Sequence, residues 1–225
     1  KNFDILNSGF DIFLENENFS LSGGTNIYED LTKNHSDRYQ FVLPYYNFSK
    51  SPIKTDYGFF NLYSKGNNTL DNTNNIKSRL INDFNFKMND KIFEKIGLRN
   101  NLNFFFKNLN SVGKNVDNYK NSPQIEIQSM IEVNSELPLK KISKSNNQTL
   151  IPRLSFRFNP GDMKNHSASE RKINSDNIFQ INRLGIDDSL ESGSSFTAGI
   201  DFKSEDKENK DKFIKLKLAS VFRDK

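Results

Sequence analysis

The sequence predicts an all-β protein: an antiparallel, up-and-down transmembrane β-barrel segment of about ten long strands, cut from a larger barrel. Three observations point there. Apolar and polar residues alternate over stretches far longer than the 5–6 residues of an ordinary strand. The connections tend to alternate between shorter and longer. Finally, a polar composition coexists with 21 Phe and 7 Tyr in 225 residues.

Residues 76–88, IKSRLINDFNFKM, carry the first observation most clearly. Ile76, Leu80, Phe84, Phe86 and Met88 share one parity, with Ser78 and Asn82 among them. Lys77, Arg79, Asp83, Asn85 and Lys87 share the other, where Ile81 is the exception. A period of two means a strand with one apolar and one wet face. Further candidates fall at 3–15, 18–30, 38–49, 57–65, 96–108, 124–137, 149–159, 195–204 and 212–222. In 124–137, Ile125, Ile127, Ile131, Val133 and Leu137 oppose Glu126, Gln128, Glu132, Asn134 and Glu136. In 149–159, Leu154, Phe156 and Phe158 oppose Arg153, Ser155 and Arg157. In 195–204, Phe196, Ala198, Ile200 and Phe202 oppose Thr197, Asp201 and Lys203. Ser8-Gly9, Gly23-Gly24 and Pro44 interrupt the first strands, as bulges or bends do.

A strand of that length reaches about 43 Å, and tilted by about 40° it still rises about 33 Å, enough to cross an apolar band of about 25 Å. A β-sandwich also alternates, but has no use for ten strands of that reach. An adhesin-like soluble sheet is a further alternative. From residue 66 onward every second connection is the longer one: 66–75, 109–123 and 160–194. Barrels of the outer membrane pair tight turns at one end with long loops at the other. Tyr28, Tyr39, Tyr57 and Phe222 lie near strand ends, where interfacial aromatics sit.

Composition excludes several classes. The mean hydropathy is −0.74, and no apolar run of about 18 residues exists, so helical membrane spans are ruled out. The net charge of +4 is spread among interleaved acids and bases, with no basic stripe, so no nucleic-acid partner is expected. Cysteine is absent, so disulfide and thiolate-metal sites are excluded within this chain. The two histidines, His35 and His166, fall in predicted loops, which argues against an acid–base or nucleophilic catalytic site; neither enzyme activity nor a cofactor is expected. Asp187, Asp188 and Glu191 do not follow a calcium-loop spacing and read as a solvated acidic loop. On the wet faces, Lys77, Arg79, Lys87, Arg99 and Arg157 are candidates to face a lumen, with Lys107, Arg153, Lys215 and Lys217 beside them. Their simplest role is to keep that lumen hydrated and ion-paired.

One region carries a family likeness. TLIPRLSFRFNPGD (149–162) is followed by INSDNIFQINRLGIDDSLESGSSFTAGIDF (173–202). Leu150, Pro152 and Arg153 are followed by Asp176 and Phe179, by Asn182, Arg183, Gly185 and Asp187, and by Thr197 and Gly199. The order resembles the barrel domain of the LptD family, the outer-membrane LPS-assembly proteins. A weaker likeness covers 22–50, with Arg38 shortly before Pro44. The resemblance implies an internal piece of a large barrel in the outer membrane, whose other regions include a periplasmic jellyroll. It implies transport and insertion of lipopolysaccharide into the outer leaflet. The implied partners are an LptE-type plug lipoprotein, lipopolysaccharide, outer-membrane lipid, and the periplasmic Lpt bridge through an N-terminal domain. The alternative is a passive porin or a TonB-type receptor barrel. Within the motif, a helical turn over 177–183 with Asp176 as its N-cap, and an Arg183–Asp187 pair, are expected to order the long loop.

Overall fold

A computed structural model describes residues 4–72, 74–117, 119–162 and 173–224. His166 and its neighbour Ser167 lie outside them, as does the start of the first strand candidate. The chain is all-β. Its strands are β1 (Ile5–Glu15), β2 (Phe19–Asp30), β3 (Tyr39–Lys54), β4 (Gly58–Asp71), β5 (Asn75–Met88), β6 (Lys91–Phe93), β7 (Leu98–Lys114), β8 (Gln124–Glu136), β9 (Leu139–Ile142), β10 (Asn146–Asn159), β11 (Gly193–Asp206) and β12 (Phe213–Arg223). They form one sheet in the order β1-β2-β3-β4-β5-β7-β8-β10-β11-β12, with β6 on β7 and β9 on β10. The order starts at β1 and stops at β12 without closing. Among the described residues no helix is long and apolar enough to cross a membrane.

All ten long strands lie where the alternation places them. The two short ones, β6 and β9, are additions. Pro138 has no N–H to donate, so the strand of β8 breaks there and resumes as β9. Leu137 N donates to Pro152 O at 3.1 Å across the break. Several strands outrun their expected ends: β4 continues through Gly66-Asn67-Asn68 and β7 through Asn110 to Lys114. Asn and Gly have low strand propensity, but an established ladder carries them. The connection expected at 66–75 therefore shrinks to 72–74, with Asn72 at φ 50. Of the three connections expected to be the longer ones, 115–123 and 160–192 remain so, but 72–74 is no longer than 55–57, and the alternation lapses there. Pro44 sits at a change of register: Gly24 pairs with Tyr45, but Asn26 pairs with Val42.

The chain divides into two compact units. One comprises Lys1–Thr55, Phe60–Asn85 and Phe106–Ile127. In it Ile81 and Leu109 are buried on the same face as Lys107, which bonds Asp83 at 2.5 Å. Its opposite face exposes Phe84 and Phe106, yet a polar row crosses it. Tyr46 Oη meets Ser64 Oγ at 2.9 Å, Ser64 donates to Asn82 Oδ1 at 2.7 Å, and Asn82 Nδ2 donates to Asn108 Oδ1 at 3.1 Å. Asn82 sits on an apolar face because its neighbours on adjacent strands satisfy it.

The other unit comprises Asp56–Phe59, Phe86–Phe105 and Gln128–Lys225. Here the usual arrangement of a soluble sheet is inverted. Ile131, Val133, Leu154, Phe156, Phe158, Phe196, Ile200, Leu218 and Phe222 are exposed. Glu132, Ser155, Arg157, Asn159, Ser195 and Thr197, of the opposite parity, are buried. Register aligns the apolar side: Phe156 pairs with Phe196, and Phe196 with Phe222.

Candidate functional site

The covered polar face of the second unit is the candidate site. Its cover is the described part of the β10–β11 connection, residues 173–192, which lies over β8, β10, β11 and β12 as a strap. A tight turn starts it. Asn174 Oδ1 accepts from the backbone N–H groups of Asp176 and Asn177 at 2.9 and 3.1 Å, and Ile178 N donates to Asn174 O at 3.0 Å. The capping side chain is thus Asn174, not Asp176. Asn174 stands two residues earlier, where its carbonyl closes the turn and its amide oxygen meets the free N–H groups. Asp176 is exposed and instead holds Lys217 of β12. The Lys217 ammonium, first through its hydrogen bond and then through its charge, holds the Asp176 carboxyl below the ordinary carboxylate range.

A second turn follows. Asn182 accepts at its carbonyl from Gly185 N at 3.1 Å and at Oδ1 from Ile186 N at 2.8 Å. Gly185 adopts φ 70, a conformation open to glycine without a side-chain penalty. The turn aims Arg183 inward until its side chain is 0% exposed. Arg183 Nε and Nη2 donate to Glu191 Oε2 and Oε1 at 2.6 Å each. Its Nη1 donates to Thr197 Oγ1 at 2.9 Å, and Nη2 also to Ser195 Oγ at 2.9 Å. The acid that anchors the strap is therefore Glu191. The expected Arg183–Asp187 pairing gives way because Gly185 turns the chain away, leaving Asp187 exposed while residue 191 returns beneath the guanidinium. Arg223 of β12 meets the same carboxylate at 2.6 Å.

Sheet residues complete the anchoring. Arg157, side chain 2% exposed, donates from Nε to Glu132 Oε1 at 2.7 Å and from Nη2 to Phe179 O at 2.8 Å. Glu132 Oε2 also accepts from Asn103 and Asn134 at 2.8 Å each. This carboxylate is buried with three side-chain donors, the condition under which a buried charge is tolerated. Gln128 Oε1 accepts from Leu190 N at 2.5 Å, and Asn159 Nδ2 donates to Glu191 O at 3.0 Å. Met130, Ile178 and Leu190 are buried apolar residues of this unit among the described residues. The Phe179 ring lies against Gly199, where an added Cβ would stand 2.8 Å from its Cε2.

Several of the positions singled out between 149 and 202 gather. Asn182, Arg183, Thr197, Phe179 and Gly199 belong to one packed assembly, and Gly185 is exposed at its turn. Arg153 joins its edge: it pairs with Glu136 and Asp201 at 3.5 and 3.3 Å, and its guanidinium lies 5.8 Å from the Phe179 ring centre. Pro152 sits in β10 opposite Ile200. Beside the strap lies a polar cleft of about 300 Å³ bordered by Lys87, Asn101, Glu132, Glu136, Arg153 and Phe179. Arg99 reaches Glu136 at 3.6 Å. Lys77 and Arg79 belong to the other unit, where Lys77 stands 4.6 Å over Tyr119 and Arg79 bonds Asn67 at 2.9 Å.

Sequence reasoning missed Glu191, Glu132, Asn174 and Arg223 as partners. Glu132 was accessible, since it shares the wet parity and pairs directly across from Arg157. Glu191 carries no local signal. No group of three His, Asp or Glu among the described residues is placed to hold a metal ion. The cleft offers hydrogen-bond donors and both charge signs, chemistry suited to holding or passing polar groups. Comparison with protein-family models and with curated proteins found no match to this chain.

Proposed function

We propose that this chain forms part of the wall of an outer-membrane β-barrel of the LptD type, within the translocon that inserts lipopolysaccharide into the outer leaflet. The observation that carries the membrane part is the inverted sheet. Long strands expose Phe, Ile and Leu on one side and bury Arg, Glu, Asn and Thr on the other. In water, each exposed large apolar side chain forgoes roughly 1.5–3 kcal/mol of burial. Against hydrocarbon the same face is at home, and the wet face turns to a lumen. The gathering of the motif residues around Arg183 supports the family part. In this reading Lys87, Arg99 and Arg157 border the lumen, and the strap occupies part of it. Lipopolysaccharide, an LptE-type plug and the periplasmic Lpt bridge are the partners.

Cysteine is absent from these 225 residues, so a cysteine placed here is the segment's only one. Single cysteines at positions 154–159 of the full-length protein, spin-labelled in bilayers, are expected to alternate. Even positions meet dissolved oxygen in the lipid, and odd positions do not. Loss of alternation sinks the membrane reading. A photo-crosslinking residue at Lys87 tests the cargo: capture of lipopolysaccharide in cells is expected. A conducting barrel that captures none points to the passive porin instead.

A further inference from the structure

Two hairpin tips lie at the end of the sheet opposite the strap, and their role rests on the membrane reading above. The β9–β10 tip reads LPLKKISKSNNQT over 137–149, with three lysines and no acid. Lys140, Lys141 and Lys144 are all exposed, and none makes an ion pair among the described residues. The β11–β12 tip adds Lys207, Lys210 and Lys212, also exposed. Lys207 N donates to Ser145 O at 2.9 Å, so the two tips are joined. Four acids share the second tip, and two of them are occupied. Glu205 holds Lys203, and Asp206 caps the turn by accepting from Glu208 N and Asn209 N at 2.9 and 3.0 Å. Glu208 and Asp211 remain exposed.

The lysines have a defined place relative to the apolar side. Ile214, Leu216, Leu218 and Phe222 form one exposed column of β12, and Lys212 ends it by parity. On β9, Leu139 lies opposite Leu150 on the apolar side, and Lys141, opposite Gln148, follows it on that side. At the other end of the strands the β10–β11 connection, residues 160–192, has the reverse balance. It carries Asp162, Glu170, Asp176, Asp187, Asp188 and Glu191 against Lys164, Arg171, Lys172 and Arg183. An apolar column that ends in ammonium groups fits the boundary between hydrocarbon and negatively charged headgroups, where lysine stems stay in the apolar layer and their charges reach out.

We propose that these two tips form an anionic-phospholipid contact collar, in which Lys141, Lys144, Lys207 and Lys212 engage the headgroups of the leaflet at that end. The test uses the full-length protein reconstituted in phosphatidylcholine vesicles with trace spin-labelled phosphatidylglycerol or spin-labelled phosphatidylcholine. Immobilised label reports lipid held at the protein surface. The wild type is expected to favour phosphatidylglycerol by about fivefold, the factor one surface lysine supplies. Lys141→Gln, Lys144→Gln, Lys207→Gln and Lys212→Gln together, or high salt, should bring the ratio to parity. These side chains are exposed, so the variant keeps its fold. A wild-type ratio of one, or a preference that survives the four substitutions, overturns the collar. Immobilisation of neither lipid would instead overturn the membrane reading itself.

Discussion

Arg183 and Glu191 meet through two parallel hydrogen bonds of 2.6 Å, with the guanidinium fully buried. Removing one member of such a pair strands the other and costs about 3–5 kcal/mol. Glu191→Ala is therefore expected to free the strap from the sheet. Hydrogen exchange at residues 174–192 should accelerate while the β10–β11 ladder stays protected. Arg183→Lys should not restore protection, because a single ammonium cannot make the forked contact. Asp187→Ala, at an exposed position, should cost less than about 1 kcal/mol. The opposite ranking of Asp187 and Glu191 would refute this anchoring.

Gly199 is small because Phe179 lies on it. A Cβ there would approach Phe179 Cζ to 2.9 Å and Ala219 Cβ to 3.0 Å. Gly199→Ala should displace the ring and destabilise the strap by about 1–3 kcal/mol. Combining it with Phe179→Ala should recover part of that loss, a coupling that a double-mutant cycle measures. Strict additivity would mean that the two side chains do not meet.

Acid should loosen the start of the strap. The carboxyl of Asp176 is held below its ordinary range by Lys217, so its folded pKa is depressed. The contribution of such a group is complete above the ordinary carboxylate pKa and fades as pH falls through the folded value. Opening at residues 174–180, read as hydrogen exchange relative to the intrinsic rate at each pH, is expected to be insensitive to this pair at neutral pH and to rise in acid. In Asp176→Asn that acid-dependent component should disappear. A rise of equal size in the variant would assign it elsewhere.

On the apolar side, Phe196 stands between Phe156 and Phe222. Phe196→Arg should oppose insertion into bilayers by about 1–2 kcal/mol, between the cost of a cation at mid-depth on a lipid-facing strand and that at the interface. Reversible folding into vesicles against urea measures it. A gain in stability would mean that this face meets water.

The long strands were legible because alternation persists wherever one side is apolar, as in β5, β8 and β10. Breaks were harder. The strand of β8 stops at Pro138 and resumes as β9, which short-range pattern reading cannot separate from a loop. The polar extensions of β4 and β7 were invisible because Asn and Gly favour turns when read alone. Within the site, Arg183 and Gly185 could be singled out from the motif, but the identity of the acid could not. Spacing along a loop says little about which carboxylate returns, and the φ of Gly185 decides it.

The strap draws its fastenings from four strands: Gln128 of β8, Arg157 and Asn159 of β10, Ser195 and Thr197 of β11, and Arg223 of β12. A slip of one residue in any of them would send its polar groups to the wrong side. Arg183 would then lose the partners that satisfy its buried guanidinium. The strap's full set of hydrogen bonds therefore exists only when all four strands are in register, so its seating reports the pairing of the whole sheet beneath it.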